Sequence, residues 1–415
     1  MPLCDPKHSY EVYTPLSIYP SIKHLVDTMT VVQKLRDHLE QHPKLKQAFE
    51  ESFQLASKLN IPQFTEYNIR TPADYLDFYE KLLRWTPSET SNGKSVYNHL
   101  CMFYFVLDQE PMKRYQVKEV PNPSPAKTWL SDWLVQYAQE LGKFMDSPES
   151  INDETIKTFY ASEAYHMDDY PVVLGGWTTF NEFFARHIYS HKRPIASPLD
   201  PTVIVSPADA TFAGCWPVDE NGIFTSKGLP WSIVDLLQDS EYGERFNGGQ
   251  FMHAFLNTTD YHRQHSPIAG TVKEAKVIPG LNYLKVEAKQ DESGRHQLGM
   301  SRHLKASDGA GYQFLQARGL VIIDNPDIGL VAILPIGMAH VSSVRLSVKS
   351  GDVVKKGSEI SYFQFGGSDI VMVFQAASQV KFHAQEGTHY NVGTHIATAK
   401  PLPKQRRFYR WPALY

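Results

Sequence analysis

The sequence predicts an α+β protein, with a helical N-terminal domain followed by a mainly β domain. Three observations predict it. Apolar residues recur at helical spacing through roughly the first 165 residues. After Arg193-Pro194 the chain breaks into short β-branched runs separated by Gly, Pro and Asp. The chain has 415 residues, too many for one compact core, so a helical domain over 1–168 and a mainly β domain over 169–415 are expected.

The helices follow from caps and stripes. Pro43 stands at a first helical position, Leu45, Phe49, Phe53 and Leu59 recur behind it, and Asn60 and Pro62 mark the stop. Thr71-Pro72-Ala73-Asp74 combines an N-cap, a proline at the first position and an acid three residues on, with Leu76, Tyr79 and Leu83 as the buried stripe. The run Pro121-Asn122-Pro123-Ser124-Pro125 reads as a linker, and a further helix is expected over Trp129 to Met145. Thr179-Phe180-Asn181-Glu182 reads as a capping box with Phe183, Phe184 and His187 behind it. Strands are expected over Thr202–Val205, Gly319–Asp324 and Leu330–Leu334.

Composition bounds the function. Apolar residues make up 42% and charged residues 21%, and the net charge is 41 − 45 = −4. This is an ordinary balance without the basic stripe of a nucleic-acid binder. Cys4, Cys101 and Cys215 form no C-x-x-C pair and no disulfide framework, which fits a reducing compartment. The N-terminus lacks the pattern of a signal peptide. The runs around Leu100–Leu107 and Leu330–Met338 are too short to span a membrane and read as buried core. A cytoplasmic protein with no integral membrane segment is expected.

Three segments hold residue types that can do chemistry: Ser206 to Ala210 with Asp209, Asp260 to Gly270 with His262 and His265, and Phe365 to Asp369 with Ser368. An Asp, a His and a Ser joined by the fold could form a triad, the imidazole taking the serine proton and the carboxylate orienting the imidazole. Gly366-Gly367 leaves the carbonyl before Ser368 unhindered. The apolar run Ile370 to Phe374 would anchor the serine in a core. Two histidines in H-x-x-H can supply two proton-transfer groups near neutral pH. No third ligand with convincing spacing turns that pair into a metal site. Taken singly, Pro-Ala-Asp also reads as a turn and Gly-Gly-Ser as a loop.

In this order the segments resemble the phosphatidylserine decarboxylase superfamily, most closely its soluble fungal branch that includes L-tryptophan decarboxylases. WTTFNEFFARHIYSHKRP resembles the family's entry helix, SPADAT its aspartate segment, DYHRQHSPIAG its Y-H-R-x-H-x-P-x-x-G, ILPIGMAHVSSV a family strand, and GGS its Gly-Ser cleavage site. The resemblance covers roughly residues 170–390. It implies a pyruvoyl-decarboxylase domain with barrel-sandwich-like elements that cuts itself between Gly367 and Ser368. Ser368 would attack the Gly367 carbonyl, with His265 as base and Asp209 behind it. Elimination and hydrolysis would turn Ser368 into a covalent pyruvoyl group. The products, 1–367 and a chain of 415 − 367 = 48 residues, would remain bound through strand pairing at Val371 and Val373. The pyruvoyl ketone would form a Schiff base with an amino-acid substrate and act as electron sink, with His262 as the reprotonating acid.

The sequence departs from the family at Ala210, where the family has Gly, and at Asp369, where it has Thr. Asp369 either binds a cationic group of the substrate or points to solvent, and His340 either faces the pocket or packs. The implied activity is decarboxylation of a free, aromatic, tryptophan-like amino acid. The alternatives are phosphatidylserine decarboxylation and an inactive relative that binds without turnover. A homo-oligomer is left open. Ser350 to Gly357 also resembles the G-D-x-V-x-K-G turn of biotinyl and lipoyl carriers, for which shared β architecture is the better account.

Overall fold

A computed structural model describes residues 29–118, 120–121, 127–226, 228–300, 312–338, 344–365 and 367–403. The linker prolines Pro123 and Pro125 lie outside them, as do Cys4 and His340.

The N-terminal part runs through α1 (Val31–Gln41), α2 (Pro43–Ser57), α3 (Pro62–Glu66), α4 (Pro72–Leu82), α5 (Ser95–Phe105), α6 (Glu110–Lys113), α7 (Trp129–Met145) and α8 (Asp153–Tyr160). Pro43 opens α2, and Asn60 breaks the helical path with a φ of 48°. Thr71 caps α4 in a full capping box with Asp74, an arrangement in which Thr→Ala costs about 1 kcal/mol. The stripe Leu76, Tyr79 and Leu83 is buried. Short α9 (Phe180–Phe184) is capped by Thr179, but Glu182 reaches back to the main chain and hydroxyl of Thr178 rather than to Thr179. The expected capping box is therefore one residue out of register. His187 lies beyond the helix, largely exposed, 3.7 Å from Glu359.

The strands are β1 (Val203–Val205), β2 (Ala210–Pro217), β3 (Ile223–Ser226), β4 (Leu229–Ser232), β5 (Gln250–Leu256), β6 (Arg263–His265), β7 (Gly270–Ile278), β8 (Val286–Gln290), β9 (His296–Met300), β10 (Arg318–Asn325), β11 (Gly329–Met338), β12 (Val344–Leu346), β13 (Val353–Val354), β14 (Glu359–Phe363), β15 (Gly367–Phe374), β16 (Lys381–Phe382), β17 (His389–Tyr390) and β18 (His395–Thr398). A last short helix, α10 (Ile233–Leu237), follows β4. Among the described residues the main sheet is eight-stranded and antiparallel, in the order β13-β7-β10-β11-β15-β5-β2-β17. Smaller sheets β12-β14-β6 and β1-β18-β16 lie beside it.

Because side chains alternate along a strand, the central strands feed two cores. Val321, Ile323, Val331, Ile333, Ile370 and Met372 join one apolar cluster with the helices and the smaller sheets. Leu320, Ile322, Ala332, Leu334, Val371 and Val373 join a second, closed by β3, β4 and α10 through Phe224, Trp231 and Leu236. Strands buried on both faces read as continuous apolar runs, which is why β10, β11 and β15 are legible in the sequence. The first cluster extends from Val31 to Ala399 and so crosses residue 168. Helix α5 packs on the β8–β9 hairpin, and Tyr97 accepts a hydrogen bond from the Met300 amide at 2.8 Å.

Candidate active site

Residue 368 lies at the opening of β15, in the middle of the main sheet. Met338 pairs with Gly367. Gly337 and Leu256 flank Ser368 from the two neighbouring strands. From Ser368 to Phe374 every residue pairs with both β11 and β5. A cut before Ser368 therefore leaves the downstream strand held on both edges. β18 pairs with β1 and β17 with β2, tying the C-terminal segment to the rest at two further places. The side chain of Ser368 lies outside the described residues, as does His340.

The segment before β15 is clamped to the helices. The Asn181 side-chain oxygen accepts the Phe365 N–H at 2.8 Å, and its amide donates to Asp146 at 2.9 Å. Gln364 donates to the same Asp146 oxygen at 3.1 Å. Phe365 is buried among Phe180, Phe184 and Trp85, with ring centroids 5.3, 5.7 and 6.3 Å away.

The two histidines occupy different surroundings. His262 is fully buried, and its ring stacks on Phe184 at 4.0 Å. Phe184 also touches Phe365, so this imidazole sits on the side of the segment that leads into residue 368. His265 makes its contacts elsewhere. Its Nδ1–H donates to the Gly357 carbonyl at 2.7 Å, which leaves Nε2 as the acceptor, and Tyr261 Oη donates to it at 3.0 Å. Burial pushes the His265 pKa below its ordinary 6.5, while the Gly357 bond and the Glu359 and Asp209 carboxylates oppose the shift. The imidazole is neutral at pH 7, the form a general base requires.

Asp209 does not stand behind His265 as expected. The fold brings the two segments together through the main-chain N–H of His265, which donates to the Pro207 carbonyl at 2.7 Å. Yet both carboxylate oxygens of Asp209 are taken by Arg193, at 2.6 to 3.0 Å, and one also accepts the Val392 N–H at 2.7 Å. A bidentate guanidinium is a stronger partner for a buried carboxylate than an imidazole. Arg193 in turn reaches Asp169 at 3.3 Å. Ala210 lies in extended strand opposite Tyr390, so the side chain in place of the family's Gly is accommodated.

Asp369 does not point to solvent either. It is 1% exposed and faces the second core, with one oxygen 3.1 Å from Nε2 of fully buried His253, off the line of a good hydrogen bond. His253 belongs to β5, one strand away. Sequence reasoning missed it, although a lone histidine in the apolar strand QFMHAFL was the available signal. It also gave no role to Arg193, Tyr261, Asn181 or the Gly357 carbonyl. The carrier-like turn supplies that carbonyl, while its Lys356 is buried and donates to the Ser197 and Asp200 carbonyls at 2.7 and 2.6 Å.

A polar cavity of about 400 Å³ opens beside this cluster, lined among others by Asp169, Tyr170, Arg193, Asp209, Tyr261 and His389. His389 pairs with Asp260 at 3.1 Å, and that hydrogen bond raises its pKa. Among the described residues no group of three His, Cys, Asp or Glu side chains is arranged to hold a metal ion, and no helix is long and apolar enough to cross a membrane.

The family profile described as phosphatidylserine decarboxylase matches residues 180–398, a span that includes Asp209, both histidines and residues 367–368. Decarboxylase iboD of Amanita muscaria is 32% identical over 273 residues, covering 62% of this chain and 77% of that protein. Phosphatidylserine decarboxylase proenzyme 3 of Schizosaccharomyces pombe is 30% identical over 238 residues, covering 56% of this chain and 22% of that protein. A phosphatidylserine decarboxylase proenzyme of Bacillus cereus is 31% identical over 233 residues, covering 56% of this chain and 81% of that protein.

Proposed function

The chain belongs to the phosphatidylserine decarboxylase family, and from that premise we propose that it is a self-processing, pyruvoyl-dependent carboxy-lyase acting on a free aromatic L-amino acid. The observation that carries the reading is the position of residue 368 at the head of a strand paired on both edges. A cut there frees a chain terminus without freeing the chain.

The residues fit the formation of a pyruvoyl group at position 368. The Ser368 hydroxyl attacks the Gly367 carbonyl carbon and its proton passes to Nε2 of His265. The peptide nitrogen takes that proton from His265 and leaves the carbon as an amine, giving an ester. Loss of the residue-368 α-proton then expels Gly367 as a carboxylate, and water releases the nitrogen as ammonia. Gly367, without a Cβ, leaves its carbonyl open to attack. The Gly357 carbonyl fixes the base as the Nδ1–H tautomer, and Tyr261 yields Nε2 when the proton arrives. The Arg193–Asp209 pair holds the Ser206–Asp209 turn against β6 as a positioning element. The Asn181 clamp on Phe365 aims the segment before the scissile bond.

Once formed, the group supplies a ketone for the substrate amine and an electron sink for the bond that releases CO₂. His262, against Phe184 on the side of that segment, is the proton donor to the substrate carbon. An amine and a carboxylate on one carbon follow from this chemistry. Processed protein incubated with L-amino acids is expected to release CO₂ from an aromatic one.

A second reading, decarboxylation of phosphatidylserine at a membrane surface, is favoured by one observation. Val172 and Leu174, ahead of Gly175-Gly176, are 78% and 97% exposed, as lipid-facing side chains would be. CO₂ release from phosphatidylserine vesicles and from no amino acid would replace the first reading by this one.

A further inference from the structure

The helical part carries a cleft of its own. A cavity of about 190 Å³ opens between α4 and α5. Phe78, Lys81, Leu82 and Trp85 line it from α4 and the turn after it, at the spacing of one helix face. Tyr67 and, from α5, His99 line it too. Four of these rings form a continuous wall. Phe78 stacks on Tyr67 at 5.3 Å, Tyr67 meets His99 at 4.5 Å, and His99 stacks on Trp85 at 4.1 Å. All six residues fall outside the span 180–398 that matches the family profile.

His99 gives this wall an acceptor. Its Nδ1 lies 2.9 Å from the Ser95 carbonyl, which can only accept, so the proton is on Nδ1 and Nε2 keeps a lone pair. Burial pulls the His99 pKa down to about 4, against the Ser95 bond, so the ring is neutral at pH 7. Among the described residues no donor reaches Nε2. Lys81 is exposed and, among the described residues, pairs with no carboxylate. An open acceptor, an open cation and a flat aromatic wall together complement a planar ring with an N–H and an anionic substituent.

We infer that the cleft between α4 and α5 is a binding site, separate from residue 368, for a small aromatic acid whose ring carries an N–H. The ring lies on the aromatic wall, the N–H donates to His99 Nε2, and the carboxylate meets the Lys81 ammonium. A ring alkylated at nitrogen loses the first polar contact, and an amine in place of the acid loses the second. The inference goes beyond the decarboxylase reading and does not depend on it. Trp85 also touches Phe365, with ring centroids 6.3 Å apart, so the cleft shares one wall residue with the packing before residue 368.

Full-length wild-type protein and its Ser368→Ala variant are titrated by calorimetry with indole-3-acetate and with 1-methylindole-3-acetate. Neither probe has an amine, so neither can form a Schiff base at residue 368. Indole-3-acetate is expected to bind both proteins equally, and about 10-fold tighter than its methylated analogue, the scale of one well-made hydrogen bond. His99→Phe keeps a ring in the wall, removes the acceptor, and is expected to abolish that preference. Lys81→Gln is expected to weaken both probes about threefold, the scale of an exposed charge pair. Binding of neither probe, equal affinities for the two, or binding to the wild type alone overturns the inference, and these comparisons need no variant of the cleft. A preference that survives His99→Phe overturns the assignment of the acceptor, and unchanged affinities in Lys81→Gln overturn that of the cation. CO₂ release by the wild type is measured separately. Its absence sinks the decarboxylase reading and leaves the site, whereas CO₂ release without preference between the probes sinks the site alone.

Discussion

The two sides of β6 differ more than their sequence spacing suggests. On one side His262 is enclosed by Phe184 in an aromatic wall that continues through Phe365 to the segment before residue 368. On the other, His265 meets Tyr261, the Gly357 carbonyl and the field of Asp209 and Glu359, next to a polar cavity. One short motif delivers two imidazoles to a dry site and a polar one. That difference is the physical basis for giving them two proton tasks, and it can be broken or sharpened by experiment.

The largest effect is expected from exchanging the two imidazoles for alanine. His265→Ala should slow self-cleavage about 10²–10⁴-fold, the usual contribution of a general base, as read by pulse-chase of the full chain on gels. His262→Ala should still cleave and lose a similar factor in CO₂ release. Reversed phenotypes would exchange the roles of the two sides. The next effect concerns the polar side alone. Arg193→Met leaves Asp209 buried without its cation and should cost about 3–5 kcal/mol in chemical denaturation. A loss below about 1 kcal/mol would show that the pair is not what holds the Ser206–Asp209 turn.

The pH dependence is smaller. Because burial lowers the His265 pKa, its neutral form prevails above pH 6.5, and self-cleavage should change by less than about twofold there. Between pH 7.5 and 5.5 the rate should fall by less than about tenfold, since a pKa at its ordinary value sets the upper limit. Stability moves the same way. The unfolded chain takes up the proton first, so the contribution of this group is present above pH 6.5 and is lost as pH falls toward the folded pKa. A rate that rises on acidification would mean the charged imidazole does the work. The smallest effect serves as the distant reference. Thr71→Ala should cost about 1 kcal/mol of stability and leave the cleavage rate unchanged, because the α4 cap is exposed and remote from β6.

Much of this was legible in the sequence, unevenly. Caps and apolar stripes are local, so α2, α4 and α7 follow from Pro43, Thr71 and the run Trp129 to Met145. β10, β11 and β15 announced themselves as apolar runs because both faces are buried. The residues of the site were legible as ordered motifs, but their pairings were not. Whether Asp209 meets His265 or Arg193 depends on how the Arg193-Pro194 segment is laid across β1 and β2, and no local pattern encodes that. The sequence left Asp369 between binding a cationic group and pointing to solvent, because nothing local says which face of the sheet follows a Gly-Gly-Ser segment. Its burial follows from its place in a central strand between β11 and β5, on the face that Val371 and Val373 give to the second core.

The central claim is the cut between Gly367 and Ser368, and intact-mass analysis of the full-length protein beside its Ser368→Ala variant tests it most directly. The account predicts that the first separates under denaturing conditions into chains of 1–367 and 48 residues (415 − 367), the smaller blocked by a pyruvoyl group. It predicts that the variant runs as one chain. A single chain from both, or two chains from both, would contradict it.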